Sequence, residues 1–399
     1  MGFDLWKDCP RVPITELLSF IVDNRGKTVP TTSNGWKLIA TNCVTNKTLY
    51  PVYEKVRYLS DETYRTWFRA HPVPGDILFV NKGTPGRVCM VPDPVDFCIA
   101  QDMIALRADD KKIYPKYLFA VLRSNQIQQQ IYNTNVGDVI PHFKKQFMDQ
   151  LLIPIPERKV QEAIGNLYFD LSEKIELNRK INDNLEQQIS LIYENLCESQ
   201  SWVTCELENL IEVRDGTHDS PKPQTDGYLL VTSKHLLPYG VDRITPNRIT
   251  EQDFKKINER SLVEYGDVLM SMIGTIGLIS FVTDHTIDYA IKNVALFKTS
   301  KTPELAYYFL SFLKSKKTQQ YIEMCLAGST QKYISLGELR KMPISNPDGA
   351  TLAHFNGIVT PMYQTIILNS QENINLSMLR DTLLVKLISG ELDVSNIDI

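Results

Sequence analysis

The 399-residue chain lacks most of what marks an enzyme or a membrane protein. No apolar run approaches the roughly 20 residues that span a bilayer. The opening Met1-Gly2-Phe3-Asp4-Leu5-Trp6-Lys7 has no charged-then-apolar signal pattern. Seven cysteines, at 9, 43, 89, 98, 197, 205 and 325, are odd in number and form no Cys-x-x-Cys pair. That usage predicts reduced, mostly buried thiols and a cytoplasmic protein. There is no His-Glu-x-x-His, no Gly-x-Ser-x-Gly and no Gly-x-Gly-x-x-Gly. The Gly26-Lys27-Thr28 triplet lacks the earlier glycine of a phosphate loop, and no Asn-Pro-Pro-Tyr or Asn-Pro-Pro-Phe methylation tetrapeptide occurs. The six histidines are scattered, so no metal site and no catalytic residue is expected.

A duplication is present instead. Gly75-Asp76-Ile77-Leu78 and Gly83-Thr84-Pro85-Gly86 recur 191 positions later as Gly266-Asp267-Val268-Leu269 and Gly274-Thr275-Ile276-Gly277. The offset holds through Leu122-Arg123-Ser124 against Leu313-Lys314-Ser315, Gln128-Gln129 against Gln319-Gln320, and Asn184-Leu185 against Asn375-Leu376. Matching internal punctuation implies two similar domains and a pseudo-twofold molecule. The organisation reads as a domain over 1–156, a helical stretch over 157–199, a second domain over 200–347 and a second helical stretch over 348–399. Strands are expected at 36–40, 75–80, 86–91 and 228–233, with one helix over 115–130.

Both helical stretches carry an apolar series in steps of seven. The first is Ile164, Leu171, Asn178, Leu185 and Ile192; the second is Phe355, Met362, Asn369, Leu376 and Leu383. Each is interrupted once, by an asparagine at an equivalent place. A polar residue in a coiled-coil seam fixes register; the alternative is an asparagine on a solvated face. Pro361 should kink or restart the second helix, and Gly390 should end it.

Charge is unevenly distributed. Residues 1–156 carry 19 Lys+Arg against 15 Asp+Glu, 157–199 carry 5 against 9, 200–347 carry 17 against 17, and 348–399 carry 2 against 6. The acidity sits in the helical stretches, which leaves the two domains free to meet a polyanion. Glycine-rich polar loops fall at equivalent places in both domains. Candidate DNA contacts in the first are Arg25, Lys27, Lys82, Thr84, Arg87, His142, Lys144 and Lys145. In the second they are Lys234, His235, Ser271, Thr275, Ser329, Thr330, Gln331, Lys332 and Tyr333. Glycine lets backbone approach a phosphate, Lys and Arg neutralise it, and Ser, Thr and Gln can read base edges. Any one of these loops alone reads as an ordinary solvated turn; six under one repeat leave the two readings level.

The stretch Pro154-Ile155-Pro156, Gln161-Glu162-Ala163-Ile164 and Lys174-Ile175-Glu176-Leu177-Asn178-Arg179-Lys180-Ile181-Asn182 resembles the helical region of type I restriction–modification specificity subunits. So does the closing Leu379-Arg380-Asp381-Thr382-Leu383-Leu384 with Lys386-Leu387-Ile388-Ser389-Gly390. The loop Gly328-Ser329-Thr330-Gln331-Lys332-Tyr333 resembles the one those subunits carry before the helix. The resemblance covers the whole chain. It implies an α+β protein with two α/β target-recognition domains, each followed by a long helix, the two helices pairing as an antiparallel coiled-coil spacer. It implies no catalysis in this chain. It also implies double-stranded DNA, two methyltransferase subunits and two restriction subunits as partners, with S-adenosylmethionine, ATP and Mg used by those other subunits. A self-contained methyltransferase or nuclease, and a helical scaffold with no DNA role, are the rival readings.

Overall fold

The computed structural model describes residues 4–24, 27–134, 141–199, 202–328 and 332–392. It consists of two compact units, Met1–Asn178 with Glu372–Ile399, and Arg179–Gln371. The division runs through both long helices, Arg158–Ser199 and Gly349–Ile388. Each unit therefore owns one α/β domain, the near half of one helix and the far half of the other.

In the first unit a four-stranded antiparallel sheet is ordered Leu18–Val22, Met103–Ala108, Ile77–Val80, Val88–Met90. A second sheet pairs Trp36–Ile39 antiparallel with Arg57–Leu59 and parallel with Phe97–Ile99. The central Ile-Leu-Phe-Val strand is buried at all four positions, which explains its unbroken apolar run. The second unit repeats the plan. Val213–Asp215, Val294–Phe297, Val268–Ser271 and Ile279–Phe281 form the four-stranded sheet, and Tyr228–Val231 pairs with Arg248–Ile249 and Tyr289–Ile291.

The repeated Gly-Asp pair has a structural meaning. Asp76 is buried and takes both Nε and Nη2 of Arg107, at 2.9 and 3.0 Å. At the same offset Asp267 is buried against Lys298 at 2.6 Å, and Lys298 also reaches Glu264 at 2.7 Å. Each aspartate accepts a backbone N–H from three residues earlier, Val73 or Glu264, and so closes the turn that enters the central strand. Gly75 and Gly266, both at φ +84°, supply the left-handed residue those turns need.

The expected single helix over 115–130 is two, Pro115–Leu122 and Asn125–Asn133. Ser124 breaks it by adopting extended backbone and accepting the N–H of Ile127. Ser315 does the same between Ala306–Lys314 and Lys316–Met324. Pro361 neither ends nor restarts the second long helix, which runs through it. Gly390 follows the helix at φ +74°.

Within each unit the helix segments pack antiparallel. In the first, Val160, Ile164 and Tyr168 share a core with Leu384, Leu387 and Ile388, and Leu171 lies near Leu383. Asn178 is buried and donates to Glu372 Oε2 (2.6 Å) and Asn373 Oδ1 (3.0 Å). In the second, Ile189 and Tyr193 pack with Phe355, Val359, Tyr363 and Ile366, flanked by Leu185, Ile192 and Met362. There Asn369 donates to Asn182 Oδ1 at 2.8 Å. Since Asn182 and Asn373 are also 191 apart, these two asparagine pairs are one hydrogen bond written twice. Leu376 is half-buried.

Candidate nucleic-acid interface

The turn after the central strand is built by two glycines. Gly83 and Gly86 sit at φ +86° and +87°, and Gly274 and Gly277 at +82° and +80°. In the first unit the turn closes through Gly86 N–H to Val80 O (3.0 Å) and Val80 N–H to Arg87 O (2.9 Å). In the second, Gly277 N–H reaches Ser271 O (3.1 Å) and Ser271 N–H reaches Leu278 O (2.9 Å). A glutamine from the following helix pair braces the first unit's turn, and its counterpart Gln319 bonds within the helix pair. Gln128 Nε2 donates to Gly86 O and Leu122 O, at 2.9 and 2.7 Å. Gln319 Nε2 donates to Leu313 O at 2.6 Å.

A second loop lies against each glycine turn. Lys82 and His142 form an antiparallel bridge, with Gly83 N–H on Pro141 O and Phe143 N–H on Asn81 O, at 2.9 and 2.8 Å. At the offset, Ile273 bridges Tyr333, and Ile334 N–H reaches Met272 O at 3.1 Å. Phe143 and Ile334 are buried and anchor the second loops. The fold thus joins loops about 60 residues apart in sequence, which residue spacing alone does not reveal.

Of the candidates in the first unit, Lys27, Arg87 and Lys144 are exposed, and Lys82, Thr84 and His142 are half-exposed. Lys145 is exposed but ion-paired with Asp23, so part of its charge is already answered. In the second unit Lys234, Thr275, Lys332 and Tyr333 are exposed. Two candidates differ from expectation. Ser271 is fully buried; its hydroxyl donates to Thr275 O (2.6 Å) and accepts from Leu278 N–H (2.8 Å), so it staples the turn and has no free face for a base. His235 is also buried, and its Nδ1 accepts the N–H of Thr232 in a capping box. Burial holds its pKa below the ordinary histidine value, with Lys234 adding to the effect. Arg25, Ser329, Thr330 and Gln331 lie outside the described residues.

The second unit's glycine loop Arg214-Asp215-Gly216-Thr217-His218 is joined by Asn293 and Arg260, which no motif signalled. His218 lies 2.7 Å from Asn293 Oδ1 and 3.0 Å from Asp215 Oδ2, and Arg260 reaches the same Asp215 at 3.2 Å. Gly216 brings the backbone so close to the strand that a Cβ there would lie 2.3 Å from Ile291 O. Among the described residues no group of three metal-ligating side chains is found, and no helix is long and apolar enough to cross a membrane.

The sequence profile described as "Type I restriction modification DNA specificity domain" matches the chain twice, over 31–187 and 200–376. The specificity subunit of type I restriction enzyme MjaIX from Methanocaldococcus jannaschii is 23% identical over 362 residues, covering 81% of this chain and 79% of that protein. The specificity subunit of the HindI enzyme from Haemophilus influenzae is 20% identical over 400 residues, covering 80% and 86%. The crystal structure of a type I restriction–modification S subunit from M. genitalium aligns over 96% of both chains with a TM-score of 0.53 at 15% identity. With two profile matches spanning most of its length and one loop-bearing scaffold built twice, the chain belongs to the family of type I restriction–modification DNA specificity subunits.

Proposed function

We propose that the chain reads a bipartite, asymmetric DNA target, each unit selecting one half-site through its paired loops. One observation carries this reading: the same backbone frame presents Lys82, Arg87 and His142 in one unit and Ile273, Leu278 and Tyr333 at the equivalent positions of the other. Different donors and apolar surfaces on one frame select different bases. The cations beside them serve phosphates and set position.

The chain acts as a non-catalytic subunit. Two methyltransferase subunits dock on its long helices, and two restriction subunits complete the assembly. The other subunits take S-adenosylmethionine, ATP and Mg. Docking on the helices is supported by the large apolar side chains they leave exposed: Leu177, Ile374 and Met378 in the first unit, Ile181, Leu191 and Leu368 in the second. The names of the curated relatives, both specificity subunits of type I restriction enzymes, agree with this role.

The test is to map methylated adenines in cells carrying the chain with its cognate methyltransferase. The expected motif has two different short halves around an unread interval. Exchanging the 82–87 loop should alter one half and leave the other. A continuous palindrome, or a loop exchange that changes both halves, overturns the proposal.

A further inference from the structure

The second unit holds one exposed histidine by both of its ring nitrogens. The His218 side chain is 66% exposed, yet its Nδ1 lies 2.7 Å from Asn293 Oδ1 and its Nε2 3.0 Å from Asp215 Oδ2. Whichever way the Asn293 amide is turned, it offers Nδ1 a partner. The Asp215 side chain is 11% exposed, and its other oxygen takes Nη2 of Arg260 at 3.2 Å, which fixes the carboxylate in turn. Asn293 stands at φ +54°, one of two non-glycine residues with left-handed backbone among the described residues. Such a conformation persists where the surroundings enforce it. Here Asn293 N–H donates to Thr217 O at 3.1 Å, and Thr217 N–H to Ile291 O at 3.0 Å. Ring, amide and loop backbone are thus fixed together.

The strands place this histidine at the end of the sheet that carries the glycine turn. Asp215 pairs with Ala295, and Ser271 with Val294. Asn293, the loop after Asp215 and the turn after Ser271 therefore leave the sheet at one end. The first unit is furnished differently there. Val22 pairs with Ala105 as Arg214 pairs with Leu296, which makes Asp23 the counterpart of Asp215. Asp23 takes the ammonium of Lys145, so the first unit presents a charged side chain where the second presents a ring. Nor is the second unit's loop an anion site. The groove beside it, of about 240 Å³, sets the carboxylates of Asp215, Asp219 and Asp253 against Lys256 and Arg260.

We propose that His218 meets DNA through its ring face, as a fixed flat surface against a base or a deoxyribose in the second unit's half-site. The inference rests on the reading that these loops face DNA. A histidine that reads a base edge or a phosphate needs a free ring nitrogen, and both are engaged here. The exposed part of the side chain is left with ring carbon and ring faces, which suit a flat or apolar partner. Because the ring is already held, little rotamer freedom remains to be lost on binding. Base and sugar share this chemistry and separate in the test.

The experiment compares His218→Phe, His218→Gln and His218→Ala in the full chain with its cognate methyltransferase. Fluorescence anisotropy is read on duplexes carrying the mapped target and on single-base changes in the second unit's half-site. The first variant keeps a ring without nitrogens; the second keeps hydrogen-bonding groups without a ring. His218→Phe should bind within about twofold of wild type, and the other two about fivefold or more weakly, the low end of what an aromatic ring contributes against a base. A histidine that only ties its loop together, or that reads an edge, gives the opposite order. Binding by His218→Gln equal to or tighter than that by His218→Phe therefore overturns the proposal. In the expected order, a loss that depends on the base at one position, with the methylated motif relaxed there, identifies a base. The same loss on every duplex identifies a sugar. If the wild-type complex methylates no bipartite motif, the reading of the loops has failed. If it does and all three variants bind like wild type, that reading stands and the inference about His218 alone falls.

Discussion

In the first unit the glycine turn carries Lys82 and Arg87 and lies against a loop bearing His142 and Lys144. The same positions of the second unit hold Ile273, Leu278, Tyr333 and Ser335. Beneath these loops the two units keep the same pairings even where the residue differs. Asp76 with Arg107 and Asp267 with Lys298 close equivalent turns, and Gln128 and Gln319 brace equivalent helices. The contrast separates two selections acting on one chain. Residues that close turns and bury charge are fixed by the cost of leaving them unpaired, whereas those facing outward are free to change.

Substitutions at the shared ion pair should show the largest effect and should split the units. Asp267→Asn removes the buried carboxylate from Lys298, which is 2% exposed and keeps only the half-exposed Glu264, so the second unit should lose up to about 3 kcal/mol of stability. Asp76→Asn should cost clearly less, because Arg107 is one-third exposed and its freed charge reaches water. Urea unfolding with a probe in each unit checks the order; equal losses would remove the distinction.

A smaller effect is expected at Gly165, where the units use different devices. A Cβ there would lie 2.6 Å from the Tyr117 backbone nitrogen. Gly165→Ala should therefore destabilise by about 1–3 kcal/mol, despite the helix propensity gained. Its counterpart Asn356 instead donates to Glu304 O at 2.7 Å, so Asn356→Ala should cost about 1 kcal/mol.

At the loops the difference should appear in salt dependence. Lys82→Gln with Arg87→Gln should flatten the slope of log affinity against log salt by up to ~2, about 0.9 for each phosphate no longer neutralised. Lys332→Gln should flatten it by no more than ~1. Thr275→Ala should leave the slope alone and relax base preference in one half-site. Fluorescence anisotropy over a salt series distinguishes these, and equal slopes would argue that the first unit's charges do not face DNA.

The smallest effect expected is acid sensitivity at His235. Its pKa in the folded chain lies below the ordinary 6.5 because it is buried. As pH falls through about 6.5 the unfolded chain takes the proton first, so stability should fall by under ~1 kcal/mol until the folded group titrates. His235→Asn should reduce that loss. His71 in the first unit, lowered by burial in the same way, should leave a residue of it. A pH-independent unfolding midpoint in the wild-type chain would contradict the assignment.

The sequence offset located the glycine turns, the central strands and the equivalent asparagines, because each is a local signal that recurs. It did not reveal that Ser124 and Ser315 split a continuous apolar pattern into two helices, since the cap competes with periodicity over only one turn. Nor did it anticipate that Ser271 and His235 turn inward, because a polar residue beside a glycine turn reads the same whether it bonds to the turn or to a ligand. Asp23 beside Lys145 was invisible for a simpler reason: the partners are 122 residues apart. Pro361 shows the converse, a strong local breaker overridden by the packing of the helix around it, with Val359, Tyr363 and Ile366 buried.

The absent side chain at Gly165 also has a mechanical side. The backbone of the first long helix beds directly on the start of Pro115–Leu122, and Gln161 Oε1 accepts the N–H of Tyr114 at 2.8 Å one turn away. Such a joint has no slack: the helix cannot roll or slide there without carrying the smaller helix along. That helix leads into the segment whose Gln128 grips the glycine turn at Gly86. A torque applied to this half of the long helix is therefore delivered, as through a keyed shaft, to the loop that carries Lys82 and Arg87.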